Sequence, residues 1–367
     1  MNSFLTMLFA VLFTFLLCLN PDISLSAASD ALRLCAQILV PSLFPFFVFS
    51  ALLLSSGAAD KLCRFLGFLM RPLFGLKSVC ALPLVLGLLS GYPMGAHITS
   101  EMYKSGSITK DDAKRLLAFT NNSGPLFITG AVGGGILGNI QTGYFLYFIH
   151  ILSAVLTGVL LNLFCKKTVT VPVCYTEKKV YSPSVPDAVK SSVLTILNLC
   201  GFVVFFAVIL SLLNKIGIIA FISDVLCFFG IKAGDAALIS GGIFEITTAL
   251  KSCRTATLPF ISFVISLGGA SVLLQTLSCT SSAALPITPY IGGKIICAVI
   301  SAILTFLALQ YFPYTVPTFA EGADVTIKQQ TAFFALYLIL TFLMCIMSYA
   351  ILVFTEIYEK RHKKRNP

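Results

Sequence analysis

Residues 79–99 read VCALPLVLGLLSGYPMGAHIT, an apolar run with Gly87, the sequence Ser90-Gly91-Tyr92-Pro93 and Gly95 at its middle. Proline cannot donate a backbone hydrogen bond and crowds the preceding turn, so a helix entering this run must break near residue 91. In hydrocarbon a broken backbone persists only where protein or a water-filled cavity surrounds it. The run is therefore expected to enter the bilayer, break and turn back as a re-entrant hairpin. Residues 234–250, centred on Ser240-Gly241-Gly242, carry the same pattern.

The basic residues test that geometry. Loop 57–78 holds Lys61, Arg64, Arg71 and Lys77, and loop 100–116 holds Lys104, Lys110, Lys114 and Arg115. Both belong on the cytoplasmic side, which requires that 79–99 return to the side it came from. Linker 166–190, with five lysines, and the basic tail after residue 359 belong inside as well, giving a cytoplasmic C-terminus. Loops 20–30 and 311–331, with Asp22, Asp30, Glu321 and Asp324, belong outside. This topology places Lys251 and Arg254 outside too, where they would attract an anion to the mouth of a pathway.

The 367 residues are 57% hydrophobic and 11% charged, with mean hydropathy +0.95. A soluble domain carries roughly a quarter of its residues as charges, so a water-soluble fold is excluded and a polytopic all-α membrane protein is expected. The run from Phe4 to Leu19 reads as a retained first helix. Crossings are expected over 31–56, 117–140, 142–165, 191–213, 256–280, 283–310 and 332–355, with amphipathic segments at 58–77 and 215–232. The net charge of +10 is accounted for by the loop lysines and arginines, and nucleic acid is not an expected partner. The twelve cysteines form no CxxC or Cys/His cluster, so neither a metal site nor a disulfide framework is predicted. No GxSxG, HExxH or ATP-binding motif occurs. No enzyme activity and no cofactor are expected.

The chain divides at the linker. After an N-terminal helix and outer loop (1–30), residues 31–165 run through a crossing, an amphipathic segment, a hairpin, an interrupted crossing and a crossing. Residues 191–310 repeat that order, before an outer loop, last crossing and tail (311–367). Leu88-Leu89-Ser90-Gly91 parallels Leu238-Ile239-Ser240-Gly241. The first half starts outside and the second inside, so the expected fold is an inverted repeat with two re-entrant hairpins and two interrupted transmembrane helices, an arrangement that marks transporters.

The breaks point to the chemistry. Thr120-Asn121-Asn122-Ser123-Gly124-Pro125 puts amides and hydroxyls before a proline; Asn121, Asn122 and Ser123 are candidates for solute binding, and Asn122 or Ser123 also suits a helix cap. Ser90 and Tyr92 at the first hairpin, and Ser271 and Gln275 after Gly268-Gly269 at the second interruption, join them. Half-helix N-termini at such breaks attract anions. Glu245 and His97 are ionisable groups in apolar runs, candidates for coupling or proton exchange. Gly130, Gly134 and Gly138 recur every four residues and predict a close helix contact.

Ser90-Gly91-Tyr92-Pro93-Met94-Gly95-Ala96, followed by Phe119-Thr120-Asn121-Asn122-Ser123-Gly124-Pro125-Leu126-Phe127, resembles the sporulation integral membrane protein family of endospore-forming bacteria. That family falls in the nucleoside recognition, or Gate, group, with concentrative nucleoside transporters. The resemblance covers roughly residues 30–310. It implies paired hairpins and interrupted helices, and movement of a small molecule across a membrane during sporulation. For the nearest relatives it implies dipicolinate as cargo, carried from mother cell to forespore. A cation-coupled nucleoside transporter and a non-transporting membrane scaffold for spore assembly are the alternatives. The expected partners are a small-molecule solute and the lipid bilayer, with self-association as a homo-oligomer left open.

Overall fold

A computed structural model describes residues 3–55, 67–164, 184–252 and 255–311. Most of the expected linker (165–183), residue Arg254, and the outer loop, last crossing and tail from residue 312 onward lie outside the described residues. Every regular element described is helical.

Helix α1 (Ser3–Leu19) gives way at Asn20 to α2 (Pro21–Leu34), and the chain bends there by 100°. The outer loop expected over 20–30 is thus helical almost throughout. Pro21 at the first turn, Asp22 beside the N-terminus and Arg33 in the last turn are each favourable helix-end residues, and they outweigh the polar composition that suggested a loop. A π turn at Cys35–Leu39 leads into α3 (Val40–Ser55). The widening comes just before Pro41, whose ring would press on the carbonyl four residues back.

Helix α4 (Gly67–Phe74) meets the segment Ser78–Ser90 at 98°. That segment contains α5 (Ala81–Ser90); after Gly91-Tyr92-Pro93 the chain resumes as α6 (Met94–Lys104). Helix α7 (Lys110–Thr120) begins with a reciprocal cap between Thr109 and Asp112 and ends at Asn121. A π-helix (Phe127–Ile136) and α8 (Ile140–Phe164) complete the first half. Helix α9 (Val185–Lys215) starts with a second reciprocal cap, Ser184 with Asp187. Then come α10 (Ile218–Phe228), α11 (Ala233–Gly242), α12 (Ile246–Ser252), α13 (Leu258–Leu267), α14 (Gly269–Ser281) and α15 (Thr288–Tyr311).

Among the described residues, four helical stretches are long and apolar enough to cross a membrane: α8, α9, α13 with α14, and α15; counting each bent pair as a span gives up to six. They coincide with four expected crossings. The α13–α14 stretch is 61% buried inside the protein, against 33% for α9, so the former is central and the latter peripheral. Leu194, Leu197 and Phe205 on α9, with Phe221 and Phe228 on α10, stand exposed, as side chains in acyl chains do.

Each hairpin tip is pressed against the break in a later helix. An ideal Cβ on Gly91 would lie 2.6 Å from the Gly124 nitrogen, and one on Gly269 would lie 2.6 Å from the Gly242 carbonyl oxygen. At the second tip Ala270 N–H donates to the Ile243 carbonyl (2.7 Å) and Ser271 N–H to the Phe244 carbonyl (3.0 Å). Backbone meets backbone at both places, which only glycine permits.

The expected contact through Gly130, Gly134 and Gly138 does not form. A Cβ on Gly130 or Gly138 would meet nothing within 4 Å, whereas Gly133 and Gly143 would clash, with Gly143 Cα only 2.6 Å from a Cβ on Gly133. The spacing of four assumed an α-helix. The segment winds as a π-helix with bonds to the fifth residue back, so successive turns align different positions.

Candidate solute-binding site

A small cavity of about 50 Å³ lies where the breaks meet. Ser90, Gly91, Tyr92 and Gly124 line it from the first half, and Glu245, Ile246, Thr247, Ser271, Val272 and Gln275 from the second. Leu39, Leu43 and Phe47 of the α2–α3 stretch and Leu199 and Val203 of α9 close it with an apolar wall. The space is enough for a few water molecules.

Five of the expected residues therefore converge: Ser90, Tyr92, Glu245, Ser271 and Gln275. Ser90 Oγ and Tyr92 Oη are buried and have no hydrogen-bond partner among the described residues. A buried polar group left unsatisfied costs about 1–3 kcal/mol, so these two hydroxyls are the groups on the lining best placed to bond a solute. Gln275 Nε2 makes one long contact, 3.5 Å, with Ser271 Oγ.

Glu245 has a structural task here. One carboxylate oxygen accepts from Thr247 N–H (2.9 Å) and the other from Thr248 N–H (2.5 Å), so it caps α12. Replacing it with glutamine turns one acceptor into a donor facing an N–H. Glu245→Gln is expected to lower stability by about 1–2 kcal/mol, read as a fall in melting temperature of the detergent-solubilised protein; an unchanged melt would exclude the cap.

Asn121, Asn122 and Ser123 are fully buried but lie behind the cavity, outside its lining. They satisfy the broken backbone. Asn121 Nδ2 donates to Thr276 Oγ1 (2.8 Å), and its Oδ1 accepts from Ala96 N–H (3.3 Å), tying the break to α14 and α6. Asn122 Nδ2 donates to the Phe119 carbonyl at the end of α7 (2.7 Å). Ser123 N–H donates to His150 Nε2 (3.1 Å). That bond leaves the imidazole proton on Nδ1, which reaches Ser266 Oγ at 2.8 Å. These three residues, expected at the solute, lie outside the lining of this cavity and bond protein groups, because amides beside a broken backbone are drawn first to its unpaired groups.

The half-helix N-termini are likewise occupied from within. Glu245 takes α12, the Ile243 and Phe244 carbonyls take α14, and Asn121 takes an N–H of α6. His97 is exposed on α6, away from the cavity, and its neighbour Glu101 pairs with Lys104. Lys251 is exposed at the end of α12; its expected companion Arg254 lies outside the described residues.

One residue went unmarked in the sequence. Lys294 on α15 is 2% exposed, with Nζ 3.3 Å from the Asn121 carbonyl, 3.5 Å from Asn122 Oδ1 and 5.2 Å from the centre of the Tyr92 ring. It is the sole charge in the run 283–310, the signal by which it could have been found.

Residues 36–142, which include both breaks of the first half, match the Gate family model, described as nucleoside recognition. Over 340 residues the chain is 30% identical to the sporulation integral membrane protein YlbJ of Bacillus subtilis (strain 168), the match covering 82% of each chain. No solved structure matches.

Proposed function

Because the chain belongs to the family of the sporulation integral membrane protein YlbJ of Bacillus subtilis, we propose that it is a membrane transporter of a small anionic or polar solute in sporulation. Dipicolinate, moving from mother cell towards forespore, is the proposed cargo. The observation that carries this reading is the cavity between the two hairpin tips, with Ser90 and Tyr92 hydroxyls buried and unpartnered on its wall. The likeness of the two tip contacts, Gly91 on Gly124 and Gly242 on Gly269, supports two inverted copies whose tips form one site near the midplane. Separation of the α2–α3 and α9 wall from the tips would open it.

Uptake of labelled dipicolinate and uridine into liposomes holding the purified protein, with and without a pH gradient, tests the proposal. Dipicolinate accumulation is the expected result. Uridine movement in its place would favour a nucleoside carrier, the reading that the Gate description suggests; movement of neither would favour a scaffold.

Tyr92→Phe separates a carrier from a scaffold. The change removes an unsatisfied hydroxyl and keeps the ring, so the melting temperature should hold or rise, by up to about 1 kcal/mol in stability. In a transporter the same change should weaken solute affinity about tenfold, or 1.4 kcal/mol, seen as a raised KM for uptake. An unaltered KM would remove Tyr92 from the site.

A further inference from the structure

We propose that Lys294, buried behind Tyr92, is the residue whose positive charge makes this cavity prefer an anionic solute, acting through Tyr92; the inference rests on the transport reading above and names the residue that reads the solute's charge. The buried ionisable groups of the described residues differ in what compensates them. Glu245 is bonded at both oxygens to the start of α12. Asp235 accepts from Thr257 N–H and Oγ1. His150 is engaged at both ring nitrogens. Lys294 has only two long contacts to neutral oxygens and the face of Tyr92, and no carboxylate among the described residues lies within ion-pair distance of it.

A buried ammonium so weakly met is costly in a membrane protein and marks a functional group. What holds it is geometry. Gly293 presses α15 onto the end of α7, where the Ala118 carbonyl would stand 1.9 Å from a Cβ, and the negative end of that helix faces the ammonium.

The surroundings are rich in donors and short of acceptors. Ser90 Oγ, Tyr92 Oη and Tyr290 Oη are buried and make no hydrogen bond of ordinary geometry among the described residues, with Ser123 close enough to interact with Tyr92 and Thr276 with Tyr290. The two phenols converge on Gly268: a Cβ there would lie 3.2 Å from Tyr92 Oη and 3.3 Å from Tyr290 Oη. Ser90 and Tyr92 line the cavity, while the ammonium lies over the Tyr92 ring and outside the lining, so it would act on an anion in the cavity through that ring and by its field, not by direct contact. The sites that usually bind anions at broken helices are already filled by the protein's own carbonyls and carboxylate, which leaves this charge to act.

The test uses the full chain, purified, with two readouts: the shift in melting temperature on adding ligand in detergent, and uptake into liposomes. The probes are dipicolinate, its uncharged dialcohol analogue pyridinedimethanol, and uridine. Wild-type protein is expected to be stabilised by dipicolinate at concentrations at least about tenfold below those needed for the dialcohol. Lys294→Met should abolish that preference, and Lys294→Arg should retain it. Asn122→Asp places a carboxylate where Oδ1 now lies 3.5 Å from Nζ, cancelling the charge with the lysine in place, and should also abolish the preference. Asn122→Asp also gives up the Asn122 Nδ2 bond to the Phe119 carbonyl, so Lys294→Gln, which removes the charge and keeps a donor for the Asn121 carbonyl, decides the matter if the other variants fail to fold: it should lose the preference, and a preference that survives in it overturns the inference. Preference for the dianion surviving in Asn122→Asp or Lys294→Met overturns the inference while leaving transport intact. No dipicolinate-induced shift in the wild type overturns it outright. A wild-type shift without uptake of any solute refutes the transport reading alone.

Discussion

Alanine at Gly87 or Gly293 is expected to abolish stable folding, with a loss of at least about 3 kcal/mol. Three glycines enclose the last carbonyls of α7. An ideal Cβ would stand 1.7 Å from the Thr120 oxygen at Gly87, 2.3 Å from the same oxygen at Gly95, and 1.9 Å from the Ala118 oxygen at Gly293. Overpacking is relieved in ordinary cores by turning a side chain, but these obstacles are backbone. A methyl group here must push α5 or α15 away from α7, displacing the first hairpin or Lys294. The measurement is the fraction of monodisperse protein in detergent and its melting temperature. Gly106→Ala, at a position where a Cβ meets nothing within 4 Å but φ is +74°, supplies a contrast in which only backbone strain acts and the loss should stay near about 1 kcal/mol. Equal losses at all three positions would contradict the close-contact account.

Asn121→Leu should be the most damaging side-chain change at the break, costing about 2–4 kcal/mol. Leucine has similar bulk but neither donor nor acceptor. It strands the Ala96 N–H and removes the donor to Thr276 Oγ1, which keeps only its own bond to the Val272 carbonyl, so the hairpin, the break and α14 lose their shared tie. Serine at the same position keeps part of this bonding and should cost less. The two variants are compared by thermal unfolding in detergent, with uptake measured on whatever folds. Leucine as mild as serine would mean that Asn121 packs without bonding across the halves.

Proposing a membrane role needed no coordinates, since 57% hydrophobic residues with 11% charged leave no soluble surface. The break at Ser90–Pro93 was readable because Gly91, Pro93 and Gly95 cannot continue a helix, and the break at 121–124 because polar residues precede Pro125. Helix α2 was hidden: its serines and alanines resemble a loop in composition, and the end signals at Pro21, Asp22 and Arg33 had to be weighed separately. The glycine contact was misplaced because a π-helix leaves no distinctive pattern in composition, and spacing rules assume α geometry.

Ser90, Tyr92, Glu245, Ser271 and Gln275 were all recognisable as polar residues at breaks, and the structure brings them to one cavity. The chain order alone gave no way to tell these from Asn121, Asn122 and Ser123, which are just as polar and as close to a break. Which polar group faces a cavity and which serves the backbone depends on where unpaired N–H and C=O groups end up, and that is fixed by contacts across more than a hundred residues, such as Asn121 with Thr276. Lys294 shows the same division. Its presence in an apolar run is a property of the sequence; that it lies unpaired behind Tyr92 follows only from α15 closing on the end of α7, because long-range packing sets the distances on which electrostatics depends.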